Sequence, residues 1–260
     1  MVAATITDVI LSPSQLSMWL SSEEEYYIRY FLGQKTPQTP AMAVGSAFDS
    51  FIKADLLASS DSERKALFGT YIRSVEPQCY EEAVGAGAAV YMAYKTSGAY
   101  DALKRELLGR TFVCEERTIV EVGGIKLNCV ADLRVDGELV HDWKVNGYYS
   151  QGRPLKGYKR MWKDGVDKAD IDLGSMECVP NGSDWTNQML TYALIHQAKE
   201  VWVDQIIYPG PRVAQYRWLV GENKILDLYG KLMEAWERYF KTGVFLTEKA
   251  RQDALDLLKA

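Results

Sequence analysis

Apolar residues recur along this chain at two spacings, and the change between them falls near residue 111. Before it the repeat is helical. Ser12-Pro13-Ser14-Gln15-Leu16 reads as a helix start, a Ser cap followed by apolar positions at Leu16, Trp19 and Leu20. The aromatic stretch Tyr26-Tyr27-Ile28-Arg29-Tyr30-Phe31 carries the helical region to Gly33, and Pro37 and Pro40 mark a loop. Val44-Gly45-Ser46-Ala47-Phe48-Asp49 opens a second helix through Phe51, Ile52 and Leu56. Residues 60–110 also read as helical, with small residues from Ala83 to Ala93 and breaks near Gly85, Gly87 and Gly98.

Beyond residue 111 the repeat shortens to two. Thr111 to Val122 is rich in β-branched residues and reads as a strand, and Gly123-Gly124 is a turn. From Ile125 to Val135, the positions Leu127, Cys129, Ala131, Leu133 and Val135 face one way, and Lys126, Asn128, Asp132 and Arg134 the other. Asp136-Gly137 is a turn signal, and Glu138 to Val145 is a third strand. The segment from Asn146 to Ser183 holds six Gly and two Pro and reads as a long basic loop, of the kind that is functional or disordered. A helix from Asp184 to Lys199 follows, then strands Val201 to Tyr208 and Val213 to Val220 around Pro209-Gly210-Pro211. Helices at Glu222 to Lys241 and Glu248 to Lys259 close the chain. The expected architecture is α/β: a central mixed β-sheet flanked by helices, with a helical insert over residues 50–110.

Composition narrows the class. The 260 residues are 47% hydrophobic and 25% charged, ordinary values for a globular protein, and are read as a single domain over 1–260. No apolar run approaches the length of a membrane span. Met1-Val2-Ala3-Ala4-Thr5 lacks the charged-then-apolar signature of a signal peptide, so a cytoplasmic location is expected. A net charge of −5 argues against a sequence-independent coat for nucleic acid, but allows a local basic strip. Some of the acidity could be metal ligands, offset by a bound cation. Cys79, Cys114, Cys129 and Cys178 stand singly, with no CxxC and no zinc pattern with His141 or His196, so they are expected to be buried small hydrophobes.

The candidate chemistry lies on the predicted strands. Asp142 and Lys144 share a face while Trp143 points away, and Asp132 lies ten residues earlier on the preceding strand. Two carboxylates beside a lysine suit phosphodiester hydrolysis. Mg²⁺ takes oxygen ligands, usually one or two carboxylates with waters and phosphate oxygens, and the Trp143 carbonyl would be a further ligand. The lysine can orient or deprotonate the attacking water. Parity sets a condition. In a two-residue hairpin at Asp136-Gly137, Asp132 would pair with His141 and leave Asp142 on the opposite face. The carboxylates converge only if the connection has three residues, Asp136, Gly137 and Glu138, or contains a bulge. That shift is predicted. Glu115 or Glu116 could add a carboxylate. His141 is expected to be structural, and His196, one turn beyond Tyr192, is also expected to be structural although it could reach the cleft.

The order of motifs resembles the PD-(D/E)XK nuclease superfamily, in its RecB-like and phage exonuclease branch, which includes Cas4 and the lambda-type exonucleases. The resemblance rests on Ser12-Pro13-Ser14-Gln15-Leu16, Gly45-Ser46-Ala47-Phe48-Asp49, Asp132, Asp142-Trp143-Lys144 and Gln188-Met189-Leu190-Thr191-Tyr192, five motifs in order. It implies a restriction-endonuclease-like core and Mg²⁺- or Mn²⁺-dependent cleavage of DNA. Asp132 and Asp142 would hold metal, Lys144 would be catalytic, and Gln188 and Tyr192 would position DNA or the lysine. Asp49 stands where the family usually has a histidine ligand. It can be read as a ligand for a hard metal or as a polar residue early in a helix. Several relatives carry an iron–sulfur cluster, but Ser21-Ser22-Glu23-Glu24 replaces the first cysteine and none follows Cys178, so no cluster is expected. Lys156, Lys159, Arg160 and Lys163, interleaved with Tyr158 and Trp162, either contact DNA or form a solvated charged loop.

The resemblance favours an exonuclease in phage recombination or DNA processing. A structure-specific or nicking endonuclease and a non-catalytic DNA-binding module are the alternatives. Such enzymes often act with a single-strand annealing protein, though no residue here names that partner.

Overall fold

A computed structural model of the chain describes residues 10–31, 33–34, 37–147, 158–163, 166–170, 186–208, 212–235 and 237. Strands β4 (Leu133–Val135), β5 (Leu139–Gly147), β6 (Tyr158–Lys163), β7 (Val166–Asp170), β8 (Glu200–Tyr208) and β9 (Arg212–Leu219) form a six-stranded sheet in the order β4-β5-β8-β9-β6-β7. It is mixed: β5 and β8 run parallel and the other neighbours antiparallel. A second sheet, ordered β1-β3-β2, comprises β1 (Ile10–Leu11), β2 (Arg117–Val122) and β3 (Ile125–Val130). The α/β architecture with a mixed sheet and flanking helices is as expected.

Helices α1 (Pro13–Ser21), α7 (Thr186–His196) and α8 (Glu222–Ala235) form one core with β3 and with Val140, Val201 and Val203 of the large sheet. Helices α3 (Pro40–Leu57), α5 (Tyr80–Thr96) and α6 (Ala99–Leu107) form another with Leu139, Trp143, Trp202 and Ile206. Between α1 and α3 lie the short α2 (Glu23–Tyr26) and a π-helical turn over Tyr27–Phe31, and α4 (Asp61–Tyr71) packs on α3. The two cores split β5 by parity, as alternating side chains require. No helix among the described residues is long and apolar enough to cross a membrane.

Helix starts follow their caps. Ser12 accepts the Gln15 backbone N–H, and the Gln15 side chain accepts the Ser12 N–H, a reciprocal capping box. Helix α3 begins at Pro40, four residues before the expected start at Val44. Thr39 accepts the Met42 N–H and Pro40 occupies the first turn, where its missing N–H costs nothing, so this proline opens a helix rather than a loop. Gly85 and Gly87 do not break α5; only Gly98, with φ of +90°, separates α5 from α6.

Three other expectations are corrected. The stretch from Ile125 to Val135 is not one strand, because the chain changes sheets at Ala131-Asp132. Burial alternates unbroken across the change, so the pattern could not reveal it. The strand expected from Thr111 begins only at Arg117. Glu115 has a φ of +54°, a left-handed conformation that a ladder cannot pass through, and Val113 makes an isolated bridge to Arg134. The basic segment of 146–183 is not loop throughout: β6 and β7 pair with each other, and β6 pairs with β9. The pairing of β6 with β7 extends to Lys163 opposite Val166. The helix expected over Glu248 to Lys259, and Cys178, lie outside the described residues.

Gly87 sets the distance between α3 and α5. A Cβ built there would lie 2.6 Å from Ala47 Cβ and 3.0 Å from the Phe48 backbone nitrogen, so α5 could not approach α3 as it does. Gly87→Val is expected to lower stability by about 1–3 kcal/mol through overpacking, read as a drop in the urea midpoint. Gly85→Ala, where nothing lies within 4 Å of the added carbon, should be neutral or stabilising.

Candidate active site

Strand β5 carries Asp142 and Lys144, and its partner β4 is preceded by Asp132. The ladder pairs Leu133 with His141, Arg134 with Val140 and Val135 with Leu139. The connection therefore has three residues, Asp136, Gly137 and Glu138, and the same register carried back one step sets Asp132 opposite Asp142. Gly137 has a φ of +68°, and the Glu138 N–H closes the turn on the Val135 carbonyl at 3.1 Å. The register shift required by parity is present.

Asp132 is held from two directions. Its Oδ2 accepts the Trp143 backbone N–H at 3.0 Å, and its Oδ1 accepts from the Lys53 ammonium at 3.0 Å. The Lys53 Nζ also lies 2.6 Å from Glu115 Oε1 and 3.8 Å from Asp49 Oδ2, while Glu116 pairs with Arg134 instead. Glu115 is thus the nearby carboxylate that the sequence left undecided. Burial opposes ionisation of Asp132, but the Lys53 and Lys144 charges and the Trp143 N–H outweigh it and hold its carboxyl below the usual range. Asp49 is raised well above that range, chiefly by loss of solvent and with contributions from Asp132, Asp142 and Glu115, although Lys53 opposes the shift. For Lys53 itself, desolvation is overcome by Asp132, Asp49 and Glu115, which keep it protonated.

Lys53 escaped the sequence reading. Its signal was a single lysine within the otherwise apolar run Phe51-Ile52-Lys53-Ala54, one helical turn after Asp49.

Asp142 is 2% exposed, and its Oδ2 lies 2.5 Å from the Lys144 Nζ. Burial pushes the Asp142 carboxyl up to about 6; Lys144 opposes the shift and Asp132 adds to it. Lys144 also donates to Gln188 Oε1 at 3.1 Å, and Gln188 Nε2 donates to the Tyr192 hydroxyl at 2.8 Å. Gln188 and Tyr192, on one face of α7, therefore fix the amide so that its oxygen meets the lysine. Desolvation would lower the Lys144 pKa, but Asp142 and Asp132 more than offset it and keep the group cationic.

The oxygen donors fit a hard divalent cation. Asp132 and Asp142 lie on one face. Because the N–H and C=O of a strand residue leave on the same side, the Trp143 carbonyl is directed toward the Asp132 side as well. Among the described residues no three Asp, Glu, His or Cys side chains are gathered as a metal group, and Asp49 salt-bridges Lys53. Two carboxylates leave the remaining positions to waters and substrate, the usual manner of Mg²⁺ binding.

The other candidates separate from this centre. His141 is fully buried on the opposite face, with Nε2 3.3 Å from Asp204 Oδ2, and its ring packs edge-on against Trp143. His196 meets Cys129 Sγ at 3.2 Å. Cys114 and Cys129 are buried free thiols. Lys159, Arg160 and Lys163 lie on β6, and Lys156 is outside the described residues.

With this geometry in place, comparison with known proteins tests the fold. No family model and no curated protein sequence matches the chain. A solved structure described as "Putative exonuclease" from Eubacterium rectale aligns over 94% of this chain and 87% of its own, at 14% identity and a TM-score of 0.55. An alkaline exonuclease from Laribacter hongkongensis covers 82% of this chain and 96% of its own, at 12% identity and a TM-score of 0.34. The first alignment shows a shared fold, so the resemblance drawn from the motifs holds at that level.

His196 gives a pH prediction. Burial, reinforced by Arg134, lowers its pKa from 6.5 to about 4. The unfolded chain therefore takes up this proton between those values while the folded chain does not, and stability falls across the window as pH falls. His196→Gln should fall less steeply than wild type in urea midpoint between pH 7 and pH 4.5; equal slopes would contradict the assignment.

Proposed function

We propose that this chain is a Mg²⁺- or Mn²⁺-dependent deoxyribonuclease that removes nucleotides from DNA ends, in phage recombination or related DNA processing. One observation carries the reading: the three-residue hairpin sets Asp132 opposite Asp142, with Lys144 held beside them by Gln188 and Tyr192. The shared fold with a chain described as an exonuclease supports action at ends over internal cutting.

Asp132, Asp142 and the Trp143 carbonyl are the groups that would hold the ion. When bound, it would polarise a phosphate oxygen and ease formation of an attacking hydroxide. Lys144, cationic as it stands, would hold the water and the scissile phosphate in line. Charge taken up by a cation at Asp142 and Asp132 would weaken the two interactions that keep the lysine protonated, bringing it toward a base. Gln188 and Tyr192 act through Lys144 and are positioning residues. DNA would be held through Lys156, Lys159, Arg160 and Lys163, and a single-strand annealing protein would take the product strand.

The test is end-labelled linear duplex and single-stranded DNA with Mg²⁺, Mn²⁺ or chelator, beside covalently closed circles. Release of labelled nucleotides from linear DNA only with metal, and intact circles, is the expected result; cut circles would make it an endonuclease. Lys144→Ala should lower the rate by about 10²–10⁴-fold while DNA binding persists. Full activity in that variant would remove the lysine from the reaction, and binding without cleavage by wild type under every condition would indicate a DNA-binding module.

Neutralising Lys156, Lys159, Arg160 and Lys163 together should weaken DNA binding. It should also flatten the dependence of log affinity on log salt by roughly 0.7–0.9 for each phosphate no longer neutralised. An unchanged salt slope would place DNA elsewhere.

A further inference from the structure

Lys53 is 1% exposed, and the neighbouring Ile52 and Ala54 are fully buried. Glu115, Asp132 and Asp49 surround that ammonium at 2.6, 3.0 and 3.8 Å, bringing carboxylates from three separate segments to one positive atom. The three carboxylates thus converge on the chain's own ammonium, and with it in place they are not gathered as a metal group. The two shorter distances suit N–H···O contacts, whereas Mg²⁺ draws its oxygens to about 2.0–2.1 Å. Lys144, by contrast, is 20% exposed and meets Asp142 on the accessible side.

We propose that the Lys53 ammonium is the resident cation of the Asp49–Glu115–Asp132 pocket, so that the chain binds one divalent ion, at Asp132 and Asp142, where the same site without this lysine would bind two. The inference rests on the metal-dependent reading above and goes beyond it by assigning the number of ions. Expelling Lys53 to admit a second ion would leave a buried ammonium without its partners, a costly state. Asp49 and Glu115 then act as counter-ions that fix Lys53, and through it the orientation of Asp132, rather than as ligands. Asp132 can serve both cations, because its two carboxylate oxygens offer about four acceptor directions.

The experiment is a Mn²⁺ titration of the full chain without DNA, followed by calorimetry and by the spin-resonance signal of free Mn²⁺. Wild type is expected to bind one ion, Lys53→Met two, and Lys53→Arg one. Glu115→Gln added to Lys53→Met should return the count to one. Circular dichroism and thermal melts report whether each variant folds. Should Lys53→Met fail to fold, Glu115→Gln alone decides: the proposal expects the single ion to remain, with affinity within about threefold, and its loss would make Glu115 a ligand and overturn the proposal. Two ions in wild type, or no gain in a folded Lys53→Met chain, also overturn it while leaving the nuclease reading intact. A wild type that binds no Mn²⁺ at all defeats both.

Discussion

The carboxylate of Asp132 must have its charge met inside the protein, and that requirement ties three parts of the chain together. The Lys53 ammonium reaches it from α3, and the Trp143 N–H from β5. A buried charge is tolerated only when it is paired and hydrogen-bonded, so neither α3 nor the β4–β5 hairpin can shift independently. The position of α3 depends in turn on Gly87 and Ala47, whose small size lets α5 press close. A contact between two small residues thus helps set where an ammonium meets a carboxylate.

The opposite face of β5 supplies a second restraint. The Trp143 Nε1 donates to the Tyr94 hydroxyl at 3.4 Å, and that hydroxyl donates to Asp204, which also accepts from Gln215 Nε2 at 3.1 Å and lies 3.3 Å from His141 Nε2. Buried polar networks of this kind limit the arrangements a core can adopt. Because His141 and Trp143 alternate with Asp142 and Lys144, fixing one pair from behind fixes the strand that presents the other. His141 belongs to this support, on the face opposite Asp142 and Lys144.

Much of the site was legible because it obeys short-range rules. Asp142 and Lys144 share a face through strand periodicity, Gln188 and Tyr192 through helical periodicity, and the convergence of Asp132 with Asp142 followed from parity at one turn. What was not legible depends on chain crossings. Lys53 and Glu115 lie 62 residues apart, and no local pattern announces their meeting. The change of sheets at Ala131-Asp132 is invisible because both sheets bury the same parity of residues. β6 and β7 were hidden for another reason. Glycines on either side gave 146–183 the composition of a loop, while strand pairing, a tertiary property, overrode that local impression.

The two central carboxylates are neighbours, yet their acidities diverge. Burial disfavours both anions. Asp132 compensates with two lysines and a backbone N–H and falls below the ordinary range, whereas Asp142 meets chiefly Lys144, is repelled by Asp132, and rises to about 6. Asp142 is therefore the less compensated of the two, beside a lysine that is 20% exposed. Carboxylates of the same kind thus reach opposite states, according to which cations and N–H groups the fold brings to each.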